Sequence, residues 1–475
     1  MNIQNTIAAI FSLLLLLLSS AFLAPPVCRA DDGQTSQYPP QLLKFSAAKE
    51  QQVRTLARDL NIKVPPEVSE FFKAAARGDF AAVTNTIIRL APEYWASYKM
   101  PAGDQPAWIP LWQPMTEVQG AYIPFATGGT KYPLAFGNGI MQSIPAGSIY
   151  FGGTPDGRDL VTALCEAPAQ GKPFYTLTQR ALTDGRYLDY LRTMYGRQIH
   201  LPTTNEVQNA IDAYKADALL RLKHDQEFPN APRQIKPGED VRLVNGEVQV
   251  SGWVSLMAVN ARVAKLILDR NPKPDFYLEE NFPMDWTYPH LSPHGLIFKL
   301  NHEPLKALTP AMLDADHAFW TKQCQSMLGD WLKPDTSLSN VCHFAEAVYG
   351  RKDWSGFSGD KGYVTNEFAT KTFARLRGSI AGLYQWRLTN KMEADDAARL
   401  RAEADYALRQ AYALCPTDKV VIHRCLSFLM EQGRGGDAIV LLNTARKLDP
   451  DDQQLKEVLA AVRENRVLPK ASKFP

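Results

Sequence analysis

The run Gly147-Ser148-Ile149-Tyr150-Phe151-Gly152-Gly153-Thr154-Pro155-Asp156-Gly157-Arg158-Asp159 decides the fold class. Ser148 to Phe151 is short and apolar and reads as a buried strand. Gly152 to Asp159 makes a polar loop, and Leu160 to Glu166 opens a helix. Pro173 to Thr178 reads as a second strand and Tyr187 to Tyr195 as a second helix. Strand, loop, helix, strand is the order of a βαβ unit and therefore of a parallel pair. Ligands of such sheets bind beyond the carboxyl ends of the strands, which is where the 152–159 loop lies.

Working outward, the helix Phe136 to Ile144 leads into this unit through the turn Pro145-Ala146-Gly147. Further upstream, Leu42 to Leu60 reads as a helix broken by Val64-Pro65-Pro66. A helical hairpin follows, Val68 to Arg77 and Phe80 to Leu90, turning at Gly78-Asp79. Phe71, Phe72, Ala75, Val83, Ile87 and Leu90 give that hairpin an apolar stripe at helical spacing. Residues 31–130 thus read as an N-terminal helical layer, with a small partner-binding hairpin as the alternative. Downstream lie a polar helix (Thr204 to Lys223) and a β-hairpin whose alternating arms, Val241 to Val244 and Glu247 to Val250, flank the turn pair Asn245-Gly246. The helix Leu256 to Leu268 and strands Phe276 to Leu278 and Gly295 to Leu300 complete an α/β domain, with a parallel or mixed sheet, over 131–305. Helices at Pro310 to Leu332 and Val341 to Val348, then a Gly- and Asp-rich linker (Arg351 to Gly362), form a connector over 306–362.

From 363 to 475 the chain reads as all-α and carries a repeat. With Pro450 aligned on Pro416, a spacing of 34, Ala438 falls on Ala404, Leu442 on Leu408, Ala445 on Ala411 and Leu448 on Leu414. Alanines let two helices approach closely, the leucine fills the groove between them, and the proline ends the second helix. Ile380, Gly382, Leu383 and Tyr384 occupy the first helix of the upstream unit, although Thr389 to Ala398 lengthens its turn. The pattern resembles the tetratricopeptide repeat, whose period is also 34. It implies two repeats and a capping helix (Gln453 to Arg466) with a surface for a protein or peptide partner. A helical buttress without a ligand is the alternative.

The N-terminus has the order of a secretory leader. An apolar block from Ile7 to Leu18, Ser19-Ser20, and Val27-Cys28-Arg29-Ala30 precede a cut ahead of Asp31. An uncleaved anchor is the alternative; either reading exports the protein to the periplasm or beyond, and leader removal leaves no membrane span. The 52 basic and 50 acidic residues give a formal charge of +2, without the basic footprint of a nucleic-acid partner. After the leader, Cys165, Cys324, Cys342, Cys415 and Cys425 remain, an odd number. Cys324 and Cys342 fall at different heights on consecutive helices, beyond the ~7 Å a disulfide spans between Cα atoms, so buried free thiols are expected.

Two further runs extend the pattern of the middle domain. Gly147 through Gly153, with Asp156 and Arg158 and on to Leu191, and Phe276-Tyr277-Leu278 through Tyr288 to Leu300 together resemble the soluble extracytoplasmic segment of bacterial protein O-mannosyltransferase-like membrane proteins. The resemblance covers about residues 135–303. It implies an α/β fold outside the cytoplasm and transfers no catalytic residue, since the membrane spans that carry glycosyl transfer are absent and Gly153-Thr154-Pro155-Asp156 replaces an uninterrupted Asp-rich run.

No catalytic constellation emerges from the residues. There is no G-x-S-x-G elbow. His290 and His294 are four apart, but Pro289 and Pro293 forbid the helix a zinc pair of that spacing needs. No metal or other cofactor is expected. The ligand candidates are Thr154, Asp156, Arg158 and Asp159 on the first loop, with Arg158 offered to an anion at the following helix start, and Trp286, His290 and His294 on the 282–294 loop. Phe282, Trp286 and Tyr288 could stack a sugar, and the Glu279-Glu280 pair or Asp285 could serve glycoside chemistry. The sequence reads as an exported, non-catalytic adaptor or scaffold of the cell envelope. The alternative is a carbohydrate-binding or carbohydrate-processing protein that uses the two loops.

Overall fold

A computed structural model describes residues 38–463 apart from 281, 283 and 389–391. The expected leader lies outside the described residues. Among the described residues, no helix is long and apolar enough to cross a membrane.

Prolines open the N-terminal helices. α1 (Pro40–Asp59) and α2 (Pro66–Ala76) each carry one in the first turn, where its missing N–H has no helical partner to lose. Asp79 caps α3 (Phe80–Ala96), its carboxylate accepting from the Ala82 N–H at 3.0 Å. The stripe expected from the sequence is buried: Phe71, Phe72, Ala75, Val83, Ile87 and Leu90 all face inward. A further helix, α4 (Trp112–Gly128), was not legible because Pro114, Gly120 and Pro124 interrupt its pattern. It packs against α1, α2 and α3.

Five short strands form a mixed sheet in the order β2-β1-β5-β7-β6. β1 (Ile149–Gly152) and β2 (Tyr175–Thr178) are parallel, with Ile149 opposite Tyr175 and Gly152 opposite Thr178. This is the βαβ pairing expected. β5 covers Phe276–Leu278, β6 Leu291–His294 and β7 Ile297–Leu300. β6 and β7 are antiparallel, with Leu291 opposite Leu300. β6 departs from the sequence reading, which saw only a proline-broken loop there. At the sheet edge Pro293 is tolerated, since one side of an edge strand makes no ladder bonds. β3 (Asp240–Val244) and β4 (Glu247–Ser251) form the separate hairpin, and Asn245 and Gly246 both take positive φ at the turn.

The chain groups into two compact units. The first holds the described residues up to Thr130, Ile144–Phe276 and the described part of Asn281–Asp285. In it the short helix α6 (Val161–Leu164) packs on α1 and α4, and α7 (Gly185–Tyr195) follows β2. α8 (Thr204–Glu227), α9 (Trp253–Arg270) and the hairpin share a small core of Tyr214, Ala218, Val250 and Val259.

The second unit holds Lys131–Ser143, Tyr277–Glu280 and the described residues from Trp286 onward. The expected 131–305 segment is therefore divided between the units, and no boundary falls near 305. The expected linker is packed within this unit. Asp360 accepts hydrogen bonds from Lys131 Nζ at 2.6 Å and Tyr132 OH at 2.8 Å. These two donors lie on or at the start of α5 (Lys131–Ser143), and Phe136 of the same helix meets Phe368 and Phe373 edge-on.

α10 (Pro310–Leu328) and α11 (Leu338–Phe344) precede five consecutive helices: α12 (Glu367–Arg387), α13 (Ala394–Leu414), α14 (Lys419–Glu431), α15 (Gly435–Leu448) and α16 (Gln453–Arg463). Each of the five packs on the next, and α12 also packs on α14. Ala404, Ala411, Ala438, Leu442 and Ala445 are at most 1% exposed, and Leu408 is buried too. Pro416 and Pro450 each follow a helix end, the first buried and the second exposed. The five cysteines of the described residues are buried free thiols. Burial raises the pKa of Cys165 and Cys324 to about 12 each, which leaves both unreactive.

The alanine positions give a direct test of packing. Ala404→Leu or Ala411→Leu, each overfilling a fully buried crossing, is expected to destabilise the protein by about 1–3 kcal/mol. Urea unfolding measures this, and the exposed Val440→Thr should shift the midpoint little.

Candidate functional site

Glycine allows the chain to fold back tightly at the end of β1. A Cβ on Gly152 would lie 2.6 Å from Arg158 Cβ and 2.7 Å from its Cα. The segment read as an open loop is in fact a π-helical turn over Asp156–Leu160 that runs directly into α6. Thr154 holds the turn's start: its Oγ1 accepts from Gly157 N–H at 2.8 Å and its carbonyl from Arg158 N–H at 2.9 Å. Thr162 Oγ1 donates to Arg158 O at 2.5 Å and reaches Thr176 Oγ1 on β2 at 2.8 Å.

This geometry turns Arg158 inward. Its side chain is 2% exposed and pairs with Glu117 of α4, whose other oxygen pairs with Lys49 of α1; all three residues are buried. Tyr190 of α7 completes the cluster, accepting from Lys49 Nζ at 2.7 Å and donating to Glu117 Oε2 at 2.6 Å. The guanidinium also lies 5.8 Å over the Tyr187 ring. Arg158 is therefore not available to an exposed anion, contrary to the sequence expectation. Burial alone would raise the Glu117 pKa, but Arg158 and Lys49 outweigh it and hold the carboxyl below its usual range. Lys49 is pushed down by burial against the pull of Glu117, and Arg158 stays firmly charged because Glu117 overcomes its burial.

Asp159 is the member that reaches solvent. Its side chain is 18% exposed, and Oδ1 accepts from Arg158 Nη1 at 3.0 Å. It seats against the backbone of α4 at Gly120, where a Cβ would fall 2.0 Å from Asp159 Oδ2. Burial raises its pKa to about 7, with Arg158 opposing and Glu117 reinforcing the rise. Arg180, just after β2, exerts a coulombic pull on the same carboxyl. Its guanidinium lies 6.0 Å over the Trp253 ring, which meets Phe282 edge-on at 5.9 Å. Gln179 Nε2 donates to Phe282 O at 3.1 Å, while the buried Gln179 Oε1 has no partner. The carboxyl ends of β1 and β2 thus carry a carboxyl near its titration midpoint, a guanidinium, an unsatisfied amide oxygen and two aromatic rings.

The remaining sequence candidates divide between the units. Thr154, Asp156, Arg158 and Asp159 stand in the first unit; Trp286, His290 and His294 stand in the second. His290 Nδ1 donates to Asn301 O at 2.9 Å and His294 Nε2 to Ser143 O at 2.7 Å, and Trp286 packs 5.7 Å from the His290 ring. Each histidine thereby pins a backbone carbonyl with one ring nitrogen. Among the described residues no His, Cys, Asp or Glu group could hold a metal ion.

Lys49, Glu117, Gln179, Arg180 and Trp253 were missed. Two of them left a trace in the sequence. Lys49 interrupts the apolar stripe Leu42, Phe45, Val53 at a core position, and Glu117 stands alone in the apolar run Trp112 to Phe125. A charge on a buried face implies a buried partner.

No protein family, curated protein or solved structure matches the chain.

Glu117→Gln leaves Lys49 and Arg158 buried without a counter-charge, and is expected to cost about 3–5 kcal/mol in urea unfolding. Asp159 acts through pH with the opposite sign to a paired carboxylate. Its folded pKa is raised above the ordinary ~3.9, so its contribution is complete below that value and is lost as pH rises towards about 7. Asp159→Asn should flatten the stability profile between pH 4 and 7, and an unchanged slope would assign that slope to other groups.

Proposed function

We propose that the protein is an extracytoplasmic, non-catalytic carbohydrate-binding protein whose ligand sits at the carboxyl ends of β1 and β2. The observation that supports this most is the clustering of Asp159, Arg180, Gln179, Trp253 and Phe282 there. Sugar hydroxyls donate to carboxylates and amide oxygens and accept from guanidinium groups, and the apolar face of a sugar ring lies on an aromatic side chain. Parallel strand ends are where such sheets take ligands. The leader-like N-terminus and the resemblance of residues 135–303 to an envelope glycosylation protein's soluble segment favour a cell-envelope glycan.

The adaptor reading of the 34-residue spacing has less support. α13 packs against α10 and α11, α15 against α11 and the helical turn Ala345–Gly350, and α12 against α5 and β7. Helices covered in this way serve as a buttress and offer little continuous surface to a peptide.

Glycan-array screening followed by calorimetry on the full chain tests the proposal. Binding to an envelope glycan is expected, weakened at least tenfold, or about 1.4 kcal/mol, by Asp159→Ala and by Trp253→Ala. Binding to no glycan, or binding indifferent to both substitutions, rejects it.

A further inference from the structure

The second unit contains a separate group of side chains that its packing does not account for. Glu280, two residues beyond β5, has a carboxyl that is 2% exposed. Its Oε1 accepts from Tyr288 OH at 2.7 Å, whereas Oε2 is buried with no partner. Arg424 of α14 is the nearest cation, but its Nη2 stops 3.7 Å from Oε1, beyond hydrogen-bond reach, and its Nη1 is likewise buried and unpartnered. Burial raises the Glu280 pKa, with Arg424 and Tyr288 only partly offsetting it. A carboxyl and a guanidinium that face one another without closing their bonds leave one acceptor and one donor unmet. Buried polar groups are rarely left in that state.

α12 explains how Arg424 comes to rest there. Gly378 and Gly382 lie one turn apart on the face that Arg424 crosses, and a Cβ on Gly382 would stand 3.2 Å from Arg424 Nη1. Two glycines inside one helix disfavour it; here they clear a shelf for the guanidinium. One turn further along the same face comes Trp386, which is 47% exposed and tilted against the Tyr288 ring at 5.4 Å. The aromatic pair therefore adjoins the Glu280–Arg424 gap through Tyr288, whose hydroxyl is already bonded to Glu280. Arg424 is 23% exposed and closes no hydrogen bond to Glu280, so it is the member of the pair through which a ligand would enter.

We infer that this group is a second ligand site, in which Glu280 and Arg424 bind adjacent hydroxyls of a neutral saccharide whose ring lies against Trp386. The charges select the class. An anionic ligand would meet the Glu280 carboxylate and a cationic one would meet Arg424, whereas a neutral diol donates to Glu280 Oε2 and accepts from Arg424 Nη1 without opposing either. This site shares no residue with the one at the ends of β1 and β2.

Calorimetric titration of the full chain with cellobiose, maltose and N,N′-diacetylchitobiose, and with galacturonate and glucosamine as charged counterparts, tests the inference. At least one neutral sugar is expected to bind, more tightly than either charged one. Arg424→Ala and Trp386→Ala should each weaken that binding at least tenfold. Trp386 is exposed, so its removal should leave the thermal unfolding midpoint in place and the loss readable as binding. No heat with any neutral sugar, which would leave ordered water to fill the gap, overturns the inference. So does neutral-sugar binding that Asp159→Ala abolishes and Trp386→Ala leaves intact, an outcome that would preserve the first site and remove this one.

Discussion

Lys49, Glu117 and Arg158 share one buried cluster, and the arrangement of the first unit depends on it. Taking three charges out of water costs several kcal/mol per ion before any attraction is counted, and only close, well-oriented pairing offsets that. The cluster forms only if α1, α4 and the turn after β1 arrive together, because each contributes one charge. Tyr190 adds α7 to the same requirement. Apolar side chains of similar size would hold a core about as well, so what the charges add is position. They fix the N-terminal helical layer against one particular turn, and they set where Asp159 emerges.

That turn shows how local chemistry and tertiary demand combine. Gly152 permits the close return, Thr154 holds its start, and Gly120 leaves room for the Asp159 carboxyl on the helix opposite. Arg158 and Asp159 are neighbours in sequence with opposite outcomes. One is drawn inward and stays charged; the other is left at the edge with its proton nearly balanced.

Elements whose periodicity agrees with their burial were readable from the residues alone. These include the β1–β2 parallel pair, the Asn245-Gly246 hairpin, the stripe through Phe71 to Leu90, and the helices from Glu367 onward. α4 and β6 are not legible in the sequence because proline and glycine, ordinarily breakers, are accommodated in a helix interior and at a sheet edge. The turn after β1 carries its own local signal in Gly152 and Thr154, but the inward course of Arg158 is set by partners 41 and 109 residues away in sequence, at Glu117 and Lys49. Pattern reading has no access to such distant pairings. The 34-residue spacing picked out the alanine crossings, yet it carried no information on what covers the helices. α10, α11, α5 and β7 do so.

The environment at the carboxyl end of β1 is reported by the state of a single carboxyl, that of Asp159. Carbon-13 NMR of the Asp159 side chain, followed from pH 3 to pH 9, reports its midpoint directly. The buried cluster predicts titration near pH 7. A midpoint near the ordinary aspartate value, ~3.9, would mean that the cluster does not hold Asp159 in this environment.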